Sequence, residues 1–278
     1  MPLSNAELRL KLAHQTWTAH NIRLSPEVTT MPEKPDFMET DLRLKAILRA
    51  LTFVYRGQLA GLRVADLGCL EGGFALAMAQ HGMSVLGIEA RQMNLNKALL
   101  LKEHFDLPQL EFQLDDVKNF TRERFGEFDV VLALGILYHL NDPVGWLHQV
   151  SQATRRILIV ESHYAPADEG ALKLLDPALR HLGPLVQVTN NDFNYEGRWF
   201  FEFDANADRE VMPWASYSNN QSFWLTKESL LQSISRAGFD LVFEQHDYSA
   251  DRYRFHMFTR SRGLFLGIKH SHSANNPL

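Results

Sequence analysis

The stretch Val64–Arg91, VADLGCLEGGFALAMAQHGMSVLGIEAR, reads as an apolar strand, a glycine-containing turn, a helix and a second strand that ends on an acid. A strand, helix and strand in this order pack as one βαβ unit, and parallel strands built that way hold ligands at their carboxyl ends. Gly68, Gly72 and Gly73 let the backbone turn sharply and lie close to a ligand. Glu89 falls about 20 residues beyond the turn, where a carboxylate can accept from ribose hydroxyls. The pairing implies an adenosine-containing cofactor without yet choosing one.

The choice comes from spacing. Asp66, Gly68, Leu70 and Gly72 follow D-x-G-x-G-x-G with leucine at the middle glycine, and not the G-x-G-x-x-G of a dinucleotide site. Further along, LDDV puts Asp116 at the end of the expected third strand, and FDVVLALGILYHLNDP, Phe128 to Pro143, supplies a fourth strand and its following turn. These blocks, in this order, resemble the class I S-adenosylmethionine-dependent methyltransferases. That resemblance implies an α/β, Rossmann-like, doubly wound seven-stranded sheet with the last strand antiparallel. It also implies an N-terminal helical layer, here with an aromatic cap inserted after strand 5. The cofactor would be S-adenosyl-L-methionine, leaving as S-adenosyl-L-homocysteine. Its contacts would come from Asp66, Gly68, Cys69, Leu70, Gly72, Glu89, Ala90, Arg91, Asp115, Asp116, Val117, Leu134 and Gly135, with Asp116 accepting from the adenine amino group. Leu70 departs from the pattern and leaves open how closely that turn approaches the cofactor.

Composition bounds the reading. A chain of 278 residues with 45% hydrophobic content can bury a full core. The net charge of −5 offers no overall attraction to phosphate backbones or anionic membranes, so no nucleic-acid or membrane partner is expected. Cys69 is the single cysteine, which excludes a disulfide framework and a cysteine metal cluster, and no metal is expected. No apolar run approaches the roughly 20 residues that span a bilayer, and the lone cysteine fits a reducing cytoplasm, so a cytoplasmic protein is expected; a monomer or homodimer is expected as its assembly.

Along the chain, Ser4 and Glu7 read as a capping box, and a second helix is expected over Thr40–Tyr55 with Leu42, Leu44, Ile47, Leu48 and Leu51 inward. Residues 1–60 would form the N-terminal lid, 61–162 and 225–262 the cofactor core, 163–224 the cap and 263–278 a flexible tail. Within the core, helices are expected over Phe74–His81 and Gln92–Phe105 and strands over Val85–Ile88, Leu110–Leu114, Asp129–Leu134 and Ile157–Val160. Asp142 followed by Pro143 marks a helix start. Thr226 opens another helix that Gly238 stops, and Phe239–Phe243 with Tyr253–Thr259 would close the sheet as an antiparallel pair. The cap carries NNDFNYEGRWFFEFD and WASYSNNQSFW, too aromatic for disorder.

Methyl transfer from a sulfonium is an in-line displacement, so holding the nucleophile about 3 Å from the methyl carbon does most of the work. A hydroxyl or ammonium acceptor also needs a base; a carboxylate does not. His139, with Tyr138 beside it in GILYHL, is read either as that base or as a packing group, and Glu161 with His163 forms a second constellation. His20, Asn194, Tyr195, Arg198, Trp199, Asn219 and Trp224 are candidates for the acceptor pocket. The expected activity is O- or N-methylation of a small metabolite, sugar or natural-product intermediate. Two alternatives stay open: a tRNA-modifying (carboxy)methyltransferase, since GILYHL also resembles the tRNA wobble-uridine carboxymethyl transferases, and a non-catalytic cofactor-binding scaffold.

Overall fold

The computed structural model describes residues 2–174, 182–190, 192–203, 207–212, 214–247 and 261–270. Residues 1–119, 204–218 and 246–250 form one compact unit, and 120–203, 219–245 and 251–278 form a second.

The first unit opens with α1 (Asn5–Ala13), and the expected capping box is present: Ser4 Oγ accepts from the Glu7 amide while Glu7 reaches back to the Ser4 amide. The short hairpin β1 (Arg23–Ser25) and β2 (Val28–Thr29) follows, then α2 (Leu42–Val54), capped by Asp41. Leu44, Ala46, Ile47 and Leu51 share its buried face. Leu42, expected inward, is exposed at the first helical position, two residues before the first buried one, Leu44. The βαβ unit is then laid down as β3 (Arg63–Leu67), α3 (Gly73–Gln80) and β4 (Ser84–Glu89), followed by α4 (Gln92–Phe105) and β5 (Leu110–Leu114). β3, β4 and β5 pair in parallel.

The second unit holds α5 (Arg122–Phe125), β6 (Phe128–Leu134), α6 (Pro143–Ala153), β7 (Thr154–His163) and α7 (Glu169–Leu174). It continues with β8 (Leu182–Asn190), β9 (Phe193–Phe201), β10 (Gln221–Leu225), α8 (Lys227–Arg236), β11 (Leu241–Gln245) and β12 (Arg262–Ile268). The run FDVVLAL is buried along most of its length, as a strand covered on both faces must be. Asp142 caps α6 with Pro143 in its first turn, and Thr226 caps α8.

The main sheet has seven strands in the order β11-β12-β7-β6-β3-β4-β5, and β12 runs antiparallel to both neighbours. That antiparallel strand lies where a flexible tail was expected. RGLFLGI is buried from Gly263 through Gly267, between β7 and β11, and pairing on both edges with burial of its apolar side chains orders it as a strand. Tyr253–Thr259, expected to be that strand, lies outside the described residues. The aromatic insertion forms its own antiparallel three-stranded sheet, β10-β9-β8.

Candidate active site

In the first unit, the turn between β3 and α3 takes left-handed backbone at Gly68 (φ 69°), Leu70 (φ 52°) and Gly72 (φ 79°). Leu70 therefore keeps the backbone of the glycine it replaces, at a steric cost of about 1–2 kcal/mol. At Gly72 a side chain would also collide: a Cβ would sit 2.9 Å from Phe112 Cζ and 3.0 Å from Ala98 Cβ. Gly72→Ala is expected to lower stability by about 1–3 kcal/mol, read as a smaller midpoint in urea at unchanged slope.

Glu89 closes this turn. Its carboxylate accepts from the Leu70 amide at 3.0 Å and from the Arg91 amide at 2.9 Å, and burial raises its pKa against those bonds. Asp66 is 2% exposed, and its Oδ2 has no hydrogen-bond partner. Burial first, then the charge of Glu89, lifts its pKa from 3.8 to about 7, opposed by the Ala75 amide. A carboxyl with a raised folded-state pKa holds its proton longer in the native chain, so stability falls as pH rises from about 4 to about 7. Melting midpoints of the ligand-free protein should decline over that window, and Asp66→Asn should flatten the decline.

Asp115 accepts from Asn119 Nδ2 at 2.9 Å, and Asp116 accepts from the Lys118 amide at 3.0 Å; both are half-buried, beside buried Val117. Ala90 is half-buried between Glu89 and Arg91, and Cys69 is buried, which pushes its thiol well above the usual range. Arg91 is 5% exposed, and its guanidinium donates to the Arg209 and Ala215 carbonyls, both at 2.7 Å.

His20 is buried against this turn. Its Nδ1 accepts from the Gly73 amide at 3.1 Å and its ring meets Phe74 edge-on at 5.7 Å. Burial lowers its pKa to about 4, which keeps the accepting nitrogen unprotonated. His20 thus caps α3 in place of a side-chain hydroxyl, a structural duty for a residue expected in the acceptor pocket. Its neighbour in this arrangement, Glu71, was not singled out by sequence at all. Glu71 is fully buried and accepts from the amides of Thr18, Ala19 and His20, from Thr18 Oγ1 and from Lys97 Nζ.

In the second unit, β6 ends at Leu134, and Gly135 (φ 77°) donates its amide to the Glu161 carbonyl at 2.9 Å. The chain then enters a 3₁₀ turn, Leu137–His139. His139 Nδ1 lies 2.8 Å from Glu202 Oε1, and Ser222 Oγ donates to the same oxygen at 2.7 Å. Asn219 Nδ2 donates to the His139 carbonyl at 3.1 Å and to the Gln221 carbonyl at 2.7 Å. The Tyr138 ring lies 4.2 Å from that of His139 and 4.6 Å from that of His163, and His163 stacks on Trp224 at 4.8 Å. Glu161 accepts from Arg262 Nη2 at 2.9 Å, and that guanidinium lies 5.7 Å from the Tyr138 ring.

Tyr138, His139, Glu161, His163, Asn219 and Trp224 therefore lie in one cluster, and Glu202, Ser222 and Arg262 join them. Arg198, a candidate for the acceptor pocket, has its donors engaged within the fold. It is fully buried and donates to the carbonyls of Pro166, Gly183 and Ala167, with Glu169 as its ion-pair partner. Asn194 accepts from Thr189 Oγ1, Tyr195 packs on Phe193 and Phe223, and Trp199 is 40% exposed with its ring against Phe223.

Comparison with known proteins places the chain in a family. Residues 37–244 match the family described as a methyltransferase domain. Over 89 residues the chain is 35% identical to the ubiquinone biosynthesis O-methyltransferase of Acinetobacter baylyi, covering 32% of this chain and 37% of that protein. The corresponding enzyme of Psychrobacter arcticus is 38% identical over 86 residues, 31% of this chain and 34% of that one. The chain thus spans only about a third of the length of these curated relatives. Among solved structures, the N-terminal domain of EvdMO1, crystallised in the presence of SAH and D-fucose, superimposes with a TM-score of 0.69. It is 22% identical, with 97% of this chain and 98% of that one covered. Magnesium protoporphyrin IX methyltransferase from Synechocystis, with bound SAM, gives a TM-score of 0.51 at 13% identity over 85% of this chain and 86% of that one. The chain belongs to the class I S-adenosylmethionine-dependent methyltransferases.

Among the described residues no helix is long and apolar enough to cross a membrane.

Proposed function

We propose that this chain methylates a hydroxyl group of a small molecule, with His139 as the general base. The observation that carries the reading is the Glu202–His139 pair. With Glu202 ionised, Nδ1 carries the imidazole proton and donates, so the basic lone pair is on Nε2. Ser222 holds the Glu202 oxygen from its other side, and Asn219 ties down the His139 backbone. An oriented base of this kind serves an acceptor that must lose a proton, which favours a hydroxyl over a carboxylate. The rings of Tyr138, His163 and Trp224 give the same cluster an apolar side suited to a small organic molecule.

The cofactor would be held by the first unit. Glu89 would accept from the ribose hydroxyls and Asp116 from the adenine amino group, with the backbone of Gly68 through Gly72 lying against the ligand. The residues fit such a molecule. Asp66 Oδ2 is a buried carboxylate oxygen without a partner, which the ammonium of an amino-acid moiety would satisfy. When bound, the sulfonium supplies an electrophilic methyl group and a neutral leaving sulfide. His139 would take the acceptor proton, and Glu202 would stabilise the imidazolium so formed.

Calorimetric titration with S-adenosylhomocysteine and NAD in parallel tests the cofactor half, and micromolar binding of the first alone is expected. Turnover of hydroxylated acceptors, measured by release of S-adenosylhomocysteine, tests the other half. Binding of NAD alone, or turnover confined to carboxylate acceptors and indifferent to His139, would overturn the reading.

A further inference from the structure

Arg91 connects two features that sequence alone keeps 118 residues apart. Its amide donates to Glu89 Oε1, so its backbone belongs to the carboxylate assigned to the ribose. Its side chain turns the other way. Nε and Nη2 hold the carbonyls of Arg209 and Ala215 at 2.7 Å, and its Cζ lies 5.4 Å from the centre of the Tyr217 ring. These partners come from the aromatic insertion, yet residues 204–218 count with the first unit and not with the three-stranded sheet whose strands they join.

Further bonds shape the same stretch. Arg209 Nη1 donates to the Ser216 carbonyl at 3.3 Å, and the Tyr217 hydroxyl donates to Glu210 Oε1 at 2.8 Å. That bond first, with the charge of Asp116 among the lesser causes, raises the phenol pKa, so Tyr217 stands within electrostatic reach of the acid assigned to the adenine. Tyr217 nonetheless remains 36% exposed, a large ring with the Arg91 guanidinium over one face and Glu210 at its hydroxyl, which leaves surface to offer.

We propose that Tyr217 forms the adenine-side wall of the cofactor site and that Arg91 is the positioning residue that fastens it there. The proposal rests on the cofactor reading above. The ligand class is an adenine base, which stacks on an aromatic face while Asp116 accepts from its amino group. A lysine at position 91 would keep the charge and lose the planar fork that serves two carbonyls and lies by a ring, so Arg91→Lys is not conservative here.

The test measures affinity for S-adenosylhomocysteine and for adenosine alone, by calorimetry, with melting midpoints recorded beside them. Tyr217→Ala is expected to weaken both ligands by about 10- to 100-fold, the effect of losing one base–aromatic stack. Tyr217→Phe should bind both as the wild type does, and Arg91→Lys should weaken both by about 10-fold while its melting midpoint stays well above the titration temperature. Unchanged affinity in Tyr217→Ala and Arg91→Lys would overturn the proposal while the cofactor reading stands. So would a loss for S-adenosylhomocysteine that adenosine does not share, since the ring would then act elsewhere on the ligand. A wild-type protein that binds neither ligand would remove the cofactor reading itself, and the proposal with it.

Discussion

His139→Ala is expected to lower turnover by about 10²–10⁴ and to leave the affinity for S-adenosylhomocysteine within about twofold of wild type. The separation follows from what the side chain touches. Its ring is bonded to Glu202 and lies against Tyr138, whereas the Glu89 carboxylate assigned to the ribose is bonded to the Leu70 and Arg91 amides in the first unit. Glu202→Gln probes the same step from behind. An amide can turn its NH₂ toward Nδ1, which would move the imidazole proton to Nε2 and silence the base, so a loss of about 10² or more is expected. Two groups that act as one unit are not additive, and the double variant should be little slower than His139→Ala alone. Losses that multiply would mean that Glu202 serves the acceptor directly. Normal turnover in His139→Ala would show that catalysis here is positional, and Glu202 would then be a strut for the 3₁₀ turn.

The parts of this site that sequence makes legible are local ones. A left-handed turn needs glycine, an acid at a strand tip needs only its offset from that turn, and helix starts at Ser4, Asp142 and Thr226 declare themselves through their own side chains. Glu202 is of another kind. The alternation of β9 separates its two faces, but only the antiparallel pairing with β10 brings that end of the strand to Ser222 and to His139, 63 residues earlier. Arg198 shows the same limit in reverse. A cation in an aromatic stretch reads as a ligand contact, and the three carbonyls that occupy it come from tertiary folding. His20 was legible as a site residue only by its place in the chain; its bond to the Gly73 amide makes it a cap.

The largest loss of stability is expected at Glu71, and the order among its variants matters more than the size. Glu71→Ala removes the acceptor for three consecutive amides, Thr18 to His20, and leaves Lys97, 1% exposed, without its counter-charge. Stranding a buried charge in this way costs about 3–5 kcal/mol. Lys97→Met should cost less, about 1–3 kcal/mol. The carboxylate it leaves behind still accepts from the three amides and from Thr18 Oγ1, and a methionine fills most of the volume. For Glu71, burial alone would raise the pKa, yet the His20 amide, the neighbouring His20 and Lys97 together carry it below the usual range. A lowered carboxyl pKa contributes stability above the unfolded value and loses it as pH falls. Urea unfolding near pH 7 should therefore rank Glu71→Ala well below Lys97→Met. Acidification should narrow the gap between wild type and Glu71→Ala. If Lys97→Met proves as damaging as Glu71→Ala, the ion pair and not the amide cradle anchors Thr18 to His20, and the cap that His20 gives α3 depends on a cation of α4.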